Sequence, residues 1–264
     1  MKKPIPVVLI TGSSRGLGRG ISIEGAKRGF SVVINYARDE KAAAETVALC
    51  KKNRLSKDQK FVAIQADMGN SAHLKKLVEE SLSEFGRIDA VVSNAGVAPK
   101  VRRDLTEMTE ESFEEVMKIN LQGPFFLIQR IAKYWLEEKP VPVLPGGFKV
   151  VIVSSISSDS ISLNRGEYCI SKAALGMVNK LWAVRLAAHG VQVYELRPGI
   201  MATDMTAGVK DKYDKLIGEN LVPAHRWGTA EDVGQAAGAL LSGQFPFSTG
   251  EVIYVDGGLH IPKL

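Results

Sequence analysis

Strand-like and helix-like segments alternate along the whole chain of 264 residues. Short apolar runs typical of buried strands cover residues 7–11, 31–36, 61–66, 88–93, 149–154, 191–196 and 251–255. Helical patterns lie between them, at residues 17–28, 41–52, 71–85, 110–137, 165–188 and 230–241. Because parallel strands need crossover connections, this alternation predicts one doubly wound α/β domain over residues 1–264, with a seven-stranded, mainly parallel sheet flanked by helices.

Composition and charge are those of an ordinary globular protein. Hydrophobic residues make up 45% of the chain and charged residues 24%, and the formal net charge is +5. The densest basic clusters, residues 51–54 and 100–103, contain no interleaved aromatic residues, so we expect no nucleic-acid surface. No apolar run approaches the roughly 18 residues that a membrane-spanning helix needs, so we expect no membrane partner.

The two cysteines, Cys50 and Cys169, lie far apart and match no metal-ligand spacing. We therefore expect no metal site and no structural disulfide, which is typical of a reducing compartment. The first apolar run leads directly into a glycine-rich turn and has no small-residue cleavage site, so we interpret it as a strand and not as a signal peptide. These features predict a cytoplasmic protein.

The first predicted strand ends in a glycine-rich turn that opens a helix, TGSSRGLG at residues 11–18. Such a turn lets the backbone approach a pyrophosphate, and the N–H groups and dipole at the helix start favour an anion. The spacing G-x-x-x-G-x-G differs from the common G-x-G-x-x-G, and a merely sharp corner is the alternative. The predicted dinucleotide-binding residues here are Gly12, Ser14, Arg15, Gly16, Leu17 and Gly18.

The end of the second strand indicates which dinucleotide is bound. An acidic residue there would bind the ribose hydroxyls of NAD and repel a 2′-phosphate, but Tyr36 stands at that position and the next carboxylate is Asp39. Arg15 and Arg38 could hold the 2′-phosphate of NADP, although both could equally be solvated. We therefore favour NADP(H) over NAD(H) as the cofactor.

Two further strand ends carry candidate cofactor contacts. Asp67 and Met68 follow the third strand, where a carboxylate can accept a hydrogen bond from an adenine amino group. The turn after the fourth strand has no bulky side chain, so it could pass beneath a cofactor or simply reverse the chain. Its residues are Asn94, Ala95 and Gly96.

A tyrosine and a lysine four residues apart, Tyr168 and Lys172, indicate proton-transfer chemistry. Positions i and i+4 share a helix face, and an adjacent cation lowers the pKa of a phenol from its ordinary value of about 10. Upstream of them, Ser155 could hold a carbonyl or alcohol oxygen in place. A Tyr-x-x-x-Lys pair alone also occurs by chance, so its significance depends on the other motifs.

Together these motifs resemble the short-chain dehydrogenase/reductase family over nearly the whole chain. The turn at residues 11–18, the turn at residues 94–96, and Ser155 with Tyr168 and Lys172 stand in that family's order and spacing. The resemblance implies a Rossmann-type fold and hydride transfer between a nicotinamide and a carbonyl or secondary alcohol. It makes Tyr168 the general acid or base, Lys172 its activator and ribose ligand, and Ser155 the residue that orients the substrate oxygen.

The same resemblance assigns positions that no local pattern marks. Asn120 falls where the family has a fourth catalytic residue, which anchors a water in a proton relay through the lysine. The turn that meets the nicotinamide carboxamide is matched by Pro198, Gly199 and Thr203. Family members are commonly tetramers, so the resemblance also implies a homotetramer.

Within the family the chain is most similar to 3-oxoacyl-[acyl-carrier-protein] reductases. Three positions depart from that group: His189 replaces a usual basic residue, Arg185 a usual Glu, and Tyr194 a usual Asn. These departures bear on the carrier protein and not on the redox chemistry, so an NAD(P)-dependent sugar or polyol dehydrogenase is the alternative. A dinucleotide-sensing regulator without turnover is a third candidate, but a damaged catalytic set would be expected in it.

The expected substrate is a small carbonyl or alcohol compound, free or linked as a thioester. Residues 198–226 form a long connection, which we predict to be a mobile lid over it. Arg165 precedes the catalytic tyrosine and could reach substrate hydroxyls or a carboxylate, or simply belong to the helix start. The predicted substrate contacts are Ser155, Val97, Arg165, Tyr168 and Met205.

Overall fold

Seven strands form one sheet in the computed structural model, which describes residues 4–262 apart from the side chains of Met205 and Ala207. The strands are β1 (Val7–Ile10), β2 (Ser31–Tyr36), β3 (Phe61–Gln65), β4 (Ala90–Ser93), β5 (Phe148–Val153), β6 (Val191–Pro198) and β7 (Glu251–Val255). Their order across the sheet is β3-β2-β1-β4-β5-β6-β7, and every neighbouring pair is parallel. The predicted Rossmann-type α/β domain is thereby confirmed.

Helices cover both faces of the sheet, because strands of a parallel sheet are apolar on both sides. The α-helices are α1 (Gly16–Lys27), α2 (Glu40–Asn53), α3 (Ser71–Phe85), α4 (Glu110–Met117), α5 (Gly123–Glu137), α6 (Gly166–Leu186), α7 (Asp204–Ala207), α8 (Lys210–Gly218) and α9 (Ala230–Leu241). Apolar side chains of α1, α2 and α9 form one core with the sheet. Those of α3, α5 and α6 form the core on the other face.

The predicted elements are confirmed in type and order, with ends that shift by one or two residues, and one helix differs. The single helix predicted over residues 110–137 is divided by a π-helical turn, Lys118–Gln122. A π turn inserts one extra residue into a helix and is frequent at functional sites. The segment 198–226 is not a continuous loop, because it contains α7 and α8.

The direction in which strands are added to the sheet reverses between β1 and β4. At such a point the loops after the two strands diverge to opposite faces and leave a crevice at the carboxyl ends. The Asn94 side chain crosses this crevice and donates hydrogen bonds to the carbonyl oxygens of Thr11, at 2.9 Å, and Gly12, at 3.1 Å. The fold therefore brings the glycine-rich turn and the turn at residues 94–96 together.

Gly18 is required by the packing of α1 on this crossing point. A Cβ at Gly18 would lie 2.6 Å from Asn94 Nδ2 and would also clash with the carbonyl oxygen of Gly12. We expect Gly18→Ala to lower the free energy of unfolding by about 1–3 kcal/mol, because backbone atoms cannot move aside cheaply. Denaturant titration measures this, with Gly218→Ala as the control, since a Cβ at Gly218 meets nothing within 4 Å. Equal stability of the two variants would contradict the assignment.

Candidate active site

The turn between β1 and α1 offers an open cradle for an anionic group. Gly12 and Gly16 have φ angles of +59° and +56°, in the left-handed region that favours glycine. A Cβ at Gly16 would find only Thr203 Cγ2 nearby, at 3.9 Å. Arg15, the N-cap residue, makes no side-chain hydrogen bond to the first turn of α1. The helix N-terminus therefore has N–H groups, a positive dipole end and free space for the pyrophosphate of a dinucleotide.

Two polar residues outside the predicted site hold this turn in shape. Asn35 Oδ1 accepts a hydrogen bond from the backbone N–H of Gly12 at 3.0 Å. Thr11 Oγ1 accepts from the backbone N–H groups of Asn94 and Ala95, both at 3.0 Å. The signal for Asn35 was an amide side chain inside an otherwise apolar strand, because such a group must find buried partners. The turn after β1 is thus connected by side-chain hydrogen bonds to β2 and to the turn after β4.

The residues after β2 leave the predicted 2′-phosphate position without a carboxylate. Tyr36 is buried, whereas Arg38 is exposed and forms no ion pair within residues 4–262. Asp39 caps α2, since its Oδ1 accepts from the N–H of Ala42 at 2.9 Å. Arg15 lies 3.6 Å from the carboxylate of Asp204. Both side chains of that pair are exposed, so water competes strongly with it.

The residues predicted after β3 differ in their surroundings. Asp67 Oδ1 accepts a hydrogen bond from the N–H of Gly69 at 2.8 Å, so the carboxylate is held at the rim of the crevice. The Met68 side chain is buried in the core, and its carbonyl group packs against Gly123 at the start of α5. The predicted cofactor contact of Met68 would therefore have to be made by its backbone and not by its side chain.

The four predicted catalytic residues converge although they come from three parts of the chain. Ser155 follows β5, Tyr168 and Lys172 lie in the first turns of α6, and Asn120 lies in the π-helical turn. All four side chains are buried. A Cβ at Gly96 would lie 3.3 Å from Lys172 Nζ and 3.4 Å from Asn120 Oδ1. The ammonium group and the amide oxygen thus approach one point beneath the turn at residues 94–96.

The Asn120 side chain joins the turn after β4 to α6. Its Oδ1 accepts from the N–H of Val97 at 2.8 Å, and its Nδ2 donates to the carbonyl of Val97 at 2.9 Å. The same Nδ2 donates to Ser171 Oγ at 3.1 Å. These three bonds fix the backbone of Val97, a predicted substrate contact, beside the catalytic helix.

Burial dominates the electrostatics of the tyrosine–lysine pair. It lowers the pKa of Lys172 to about 8, while the nearby Glu195 carboxylate acts in the opposite direction. It also raises the pKa of Tyr168, against the opposing effects of the Ser155 hydroxyl and the Arg165 guanidinium. The sequence instead predicts that Lys172 lowers the pKa of Tyr168. In the structure Lys172 Nζ donates instead to the carbonyl of Val153 at 3.1 Å.

The predicted substrate contacts are only partly described. Arg165 lies with its guanidinium 5.1 Å from the centre of the Tyr168 ring, and its Nη2 donates to Ser157 Oγ at 3.2 Å. Ser157 was not predicted as a site residue, although it lies two positions after Ser155. The Met205 side chain lies outside the described part of the structure.

The turn after β6 closes the crevice on the side of the predicted lid. The N–H of Gly199 donates to the carbonyl of Val255 at 3.0 Å, and a Cβ at Gly199 would lie 2.6 Å from Asp256 Cβ. Pro198, the last residue of β6, is buried. Thr203 is the N-cap residue of α7, and its methyl group faces Gly16 across the crevice.

Comparisons with known proteins agree with this geometry. A family model described as enoyl-(acyl carrier protein) reductase matches residues 12–260. The crystal structure of 3-oxoacyl-[acyl-carrier protein] reductase from Brucella melitensis in complex with NAD is 39% identical, with a TM-score of 0.91 and full coverage of both chains. Tetrahydroxynaphthalene reductase PfmaG of Pestalotiopsis fici is 34% identical over 96% of this chain and 90% of its own. The 2-dehydro-3-deoxy-D-gluconate 5-dehydrogenase of Dickeya dadantii is 29% identical over 96% of this chain and 94% of its own.

The chain therefore belongs to the short-chain dehydrogenase/reductase family, as the sequence motifs predicted. It is an NAD(P)-dependent oxidoreductase similar to 3-oxoacyl-[acyl-carrier-protein] reductases and to sugar-acid dehydrogenases. Within residues 4–262, none of the helices combines the length and the apolar character that crossing a bilayer requires.

Proposed function

We propose that the protein is a cytoplasmic carbonyl reductase that uses NADP(H), of the 3-oxoacyl-[acyl-carrier-protein] reductase type. The observation that carries the proposal is the convergence of four buried polar side chains beside the open glycine-rich turn; they are Asn120, Ser155, Tyr168 and Lys172. Burying an ammonium group and a phenol costs free energy, and titratable groups held in a crevice at such a cost are typical of functional sites.

Each of these residues has a defined role in the proposed reaction. Tyr168 donates its phenolic proton to the substrate oxygen during reduction and accepts a proton there in the reverse direction. Its raised pKa keeps the phenol protonated at neutral pH, as a general acid requires. Ser155 donates a hydrogen bond to the same oxygen and orients it. The nicotinamide, when bound, supplies or accepts the hydride.

Lys172 and Asn120 restore the proton that Tyr168 loses. The Lys172 ammonium, with a pKa of about 8, can give up a proton at little cost near neutral pH. Asn120 Oδ1 lies near the same point beneath Gly96, where it would hold a water between the lysine and solvent. Lys172 would also bind the nicotinamide ribose, with Asn94, Ala95 and Gly96 beneath it and Pro198, Gly199 and Thr203 on the far side.

The preference for NADP(H) is supported by the charges at the end of β2. Arg38 is exposed and makes no ion pair within the described residues, and Asp39 is engaged in capping α2. Breaking the exposed ion pair between Arg15 and Asp204 costs little free energy. Two guanidinium groups are then available to a 2′-phosphate near the Tyr36 ring. The relative from Brucella melitensis was crystallised with NAD, so the preference needs a direct test.

The substrate is proposed to be a 3-oxoacyl thioester, with a sugar acid or polyol as the alternative. The thioester is supported by the similarity to the Brucella melitensis reductase, and the sugar acid by the similarity to the gluconate-type dehydrogenase. Both similarities extend over nearly complete chains. Arg165 beside Tyr168 would suit the carboxylate of a sugar acid. Val97 and Met205 are proposed as apolar contacts, and residues 198–226 as the lid that covers the substrate.

A homotetramer is supported by apolar side chains that face solvent on the helices of one face. They are Phe113 on α4, Phe126 on α5, and Ile170, Met177, Leu181 and Val184 on α6. Exposed apolar surface of this extent is typical of a subunit interface. Among the strands of residues 4–262, β7 lies at the edge of the sheet and pairs with β6 on one side, which leaves a second surface for assembly.

Tyr168→Phe is expected to decrease turnover of an acetoacetyl thioester by about 10²-fold or more, because the general acid is lost. Cofactor affinity should be unchanged. Steady-state kinetics and cofactor titration measure the two effects, and the same assays with ketoses and polyols separate the two substrate classes. Tyr194→Phe is the control, since this phenol binds only backbone carbonyls at the other end of β6. Wild-type activity in Tyr168→Phe would overturn the mechanism.

Arg38→Ala is expected to weaken NADPH binding by about tenfold or more and to leave NADH binding unchanged, because a charge-assisted bond to the 2′-phosphate is lost. Fluorescence titration of both cofactors tests this. Arg54→Ala, which removes an exposed arginine just after α2, serves as the control. A wild-type enzyme that prefers NADH would refute the assignment.

Leu181→Glu is expected to shift the protein from tetramer to a smaller species, because it places a charge in the proposed apolar interface. Light scattering after size-exclusion chromatography gives the mass. Leu55→Glu is the control, since Leu55 is even more exposed than Leu181 but lies outside α4–α6. A wild-type protein that is mainly monomeric would show the tetramer proposal to be wrong.

A further inference from the structure

A buried ion pair lies against the catalytic helix. Glu195 and Arg197 occupy alternate positions of β6 and so share a face of the strand. Arg197 Nε donates to Glu195 Oε1 at 2.7 Å, and the Glu195 side chain is fully buried. Arg197 is held from the outside by the Asp159 carboxylate and by the Tyr254 hydroxyl, the latter at 2.9 Å. The Glu195 carboxylate therefore has a fixed position.

Glu195 anchors the end of β5. The Ser154 hydroxyl donates a hydrogen bond to Glu195 Oε1. Ser155 follows directly in the chain, and the carbonyl of Val153, directly before, accepts the hydrogen bond from Lys172 Nζ at 3.1 Å. The Glu195 carboxylate thus holds the stretch of backbone that carries Ser155 and accepts the hydrogen bond from Lys172 Nζ.

The same carboxylate lies close to α6. A Cβ at Gly176 would lie 3.4 Å from Glu195 Oε2 and 3.1 Å from Arg197 Nη2. Gly176 is one turn after Lys172 on the same face of the helix. The absence of a side chain at this position lets the ion pair approach the helix. The Glu195 carboxylate therefore lies beneath this face of the helix, one turn beyond Lys172, and its charge acts on the Lys172 ammonium.

We infer that Glu195 is a positioning residue of the active site, whose carboxylate fixes the strand end carrying Ser155 and supplies negative charge beneath Tyr168 and Lys172. The inference rests on the proposed function. Stability alone does not explain the pair, because apolar residues of similar volume stabilise a core as well or better.

The sign of the electrostatic effect follows from the surrounding charges. The titratable groups that act on this pair are Arg165 and Cys169 at Tyr168 and Glu195 at Lys172, with Arg197 and then Asp159 paired behind Glu195. An anion favours the protonated form of both a lysine and a tyrosine. Removal of the Glu195 charge should therefore lower the pKa of both groups.

The test separates charge from shape at one position. Glu195→Gln removes the charge and keeps the shape, whereas Glu195→Asp keeps the charge and shortens the side chain. For ketone reduction, we expect the alkaline limb of the kcat profile to move to lower pH in Glu195→Gln, by on the order of one unit. In Glu195→Asp it should stay near the wild-type position. If Glu195 had only a structural role, the pH of the alkaline limb would not depend on whether position 195 carries a charge.

A second readout needs neither cofactor nor turnover. The tyrosinate absorbance of the free enzyme is titrated in the wild-type and Glu195→Gln backgrounds, each with and without Tyr168→Phe, and the difference gives the pKa of Tyr168. It should be lower in Glu195→Gln. Asp89→Asn is the matched control, because Asp89 is a buried carboxylate paired with Arg87 at the opposite end of the sheet. It should lower thermal stability and leave both pH profiles unchanged.

A folded Glu195→Gln variant with an unshifted alkaline limb and an unchanged Tyr168 pKa would overturn the inference. If that variant does not fold, Ser154→Ala tests the positioning role, since it frees the carboxylate from β5 without removing charge. We expect kcat to fall by roughly tenfold, because Ser155 loses its fixed position. An unchanged kcat in Ser154→Ala would also overturn it. Failure of the proposed function is distinct, since Tyr168→Phe would then retain turnover.

Discussion

The structure depends on the close approach of two backbones where the order of strands reverses. Gly12 touches Ala95 there, and Gly18 packs against the carbonyl of Gly12 and the side chain of Asn94. A side chain at either glycine would force the start of α1 away from β1 and β4. This contact places the helix N-terminus over the crevice with its N–H groups directed to an anionic ligand. The positions of the proposed cofactor contacts in the turns after β1 and β4 follow from it.

The second constraint is the burial of charge along α6. Tyr168 and Lys172 lose most of their hydration, and burial moves their pKa values in opposite directions: that of Lys172 falls towards neutrality, and that of Tyr168 rises away from it. For Lys172, the hydrogen bond to the carbonyl of Val153 offsets part of the cost of burial, and the Glu195 charge offsets another part. In the proposed reaction, this burial would keep bulk water away from the proton transfer to the substrate oxygen.

The fold could be predicted from the sequence because its signals are local. Apolar runs between helical patterns specify parallel strands with crossovers, and the spacing of Tyr168 and Lys172 places them on one helix face. Asn35, Thr11 and Ser157 were not predicted as site residues, because each acts through partners distant in sequence. The π-helical turn around Asn120 was missed as well, since an extra residue in a helix leaves little trace in hydrophobic periodicity.

The sequence by itself determined the class of chemistry, because a phenol, an amine and a hydroxyl at fixed spacings and a glycine-rich turn after the first strand are properties of short stretches of chain. The tertiary structure alone decided the electrostatics. Burial and not the neighbouring lysine sets the direction of the Tyr168 pKa, and the carboxylate that opposes the loss of the Lys172 proton comes from β6. Desolvation and long-range charge depend on what surrounds a group in space, which local sequence patterns do not encode.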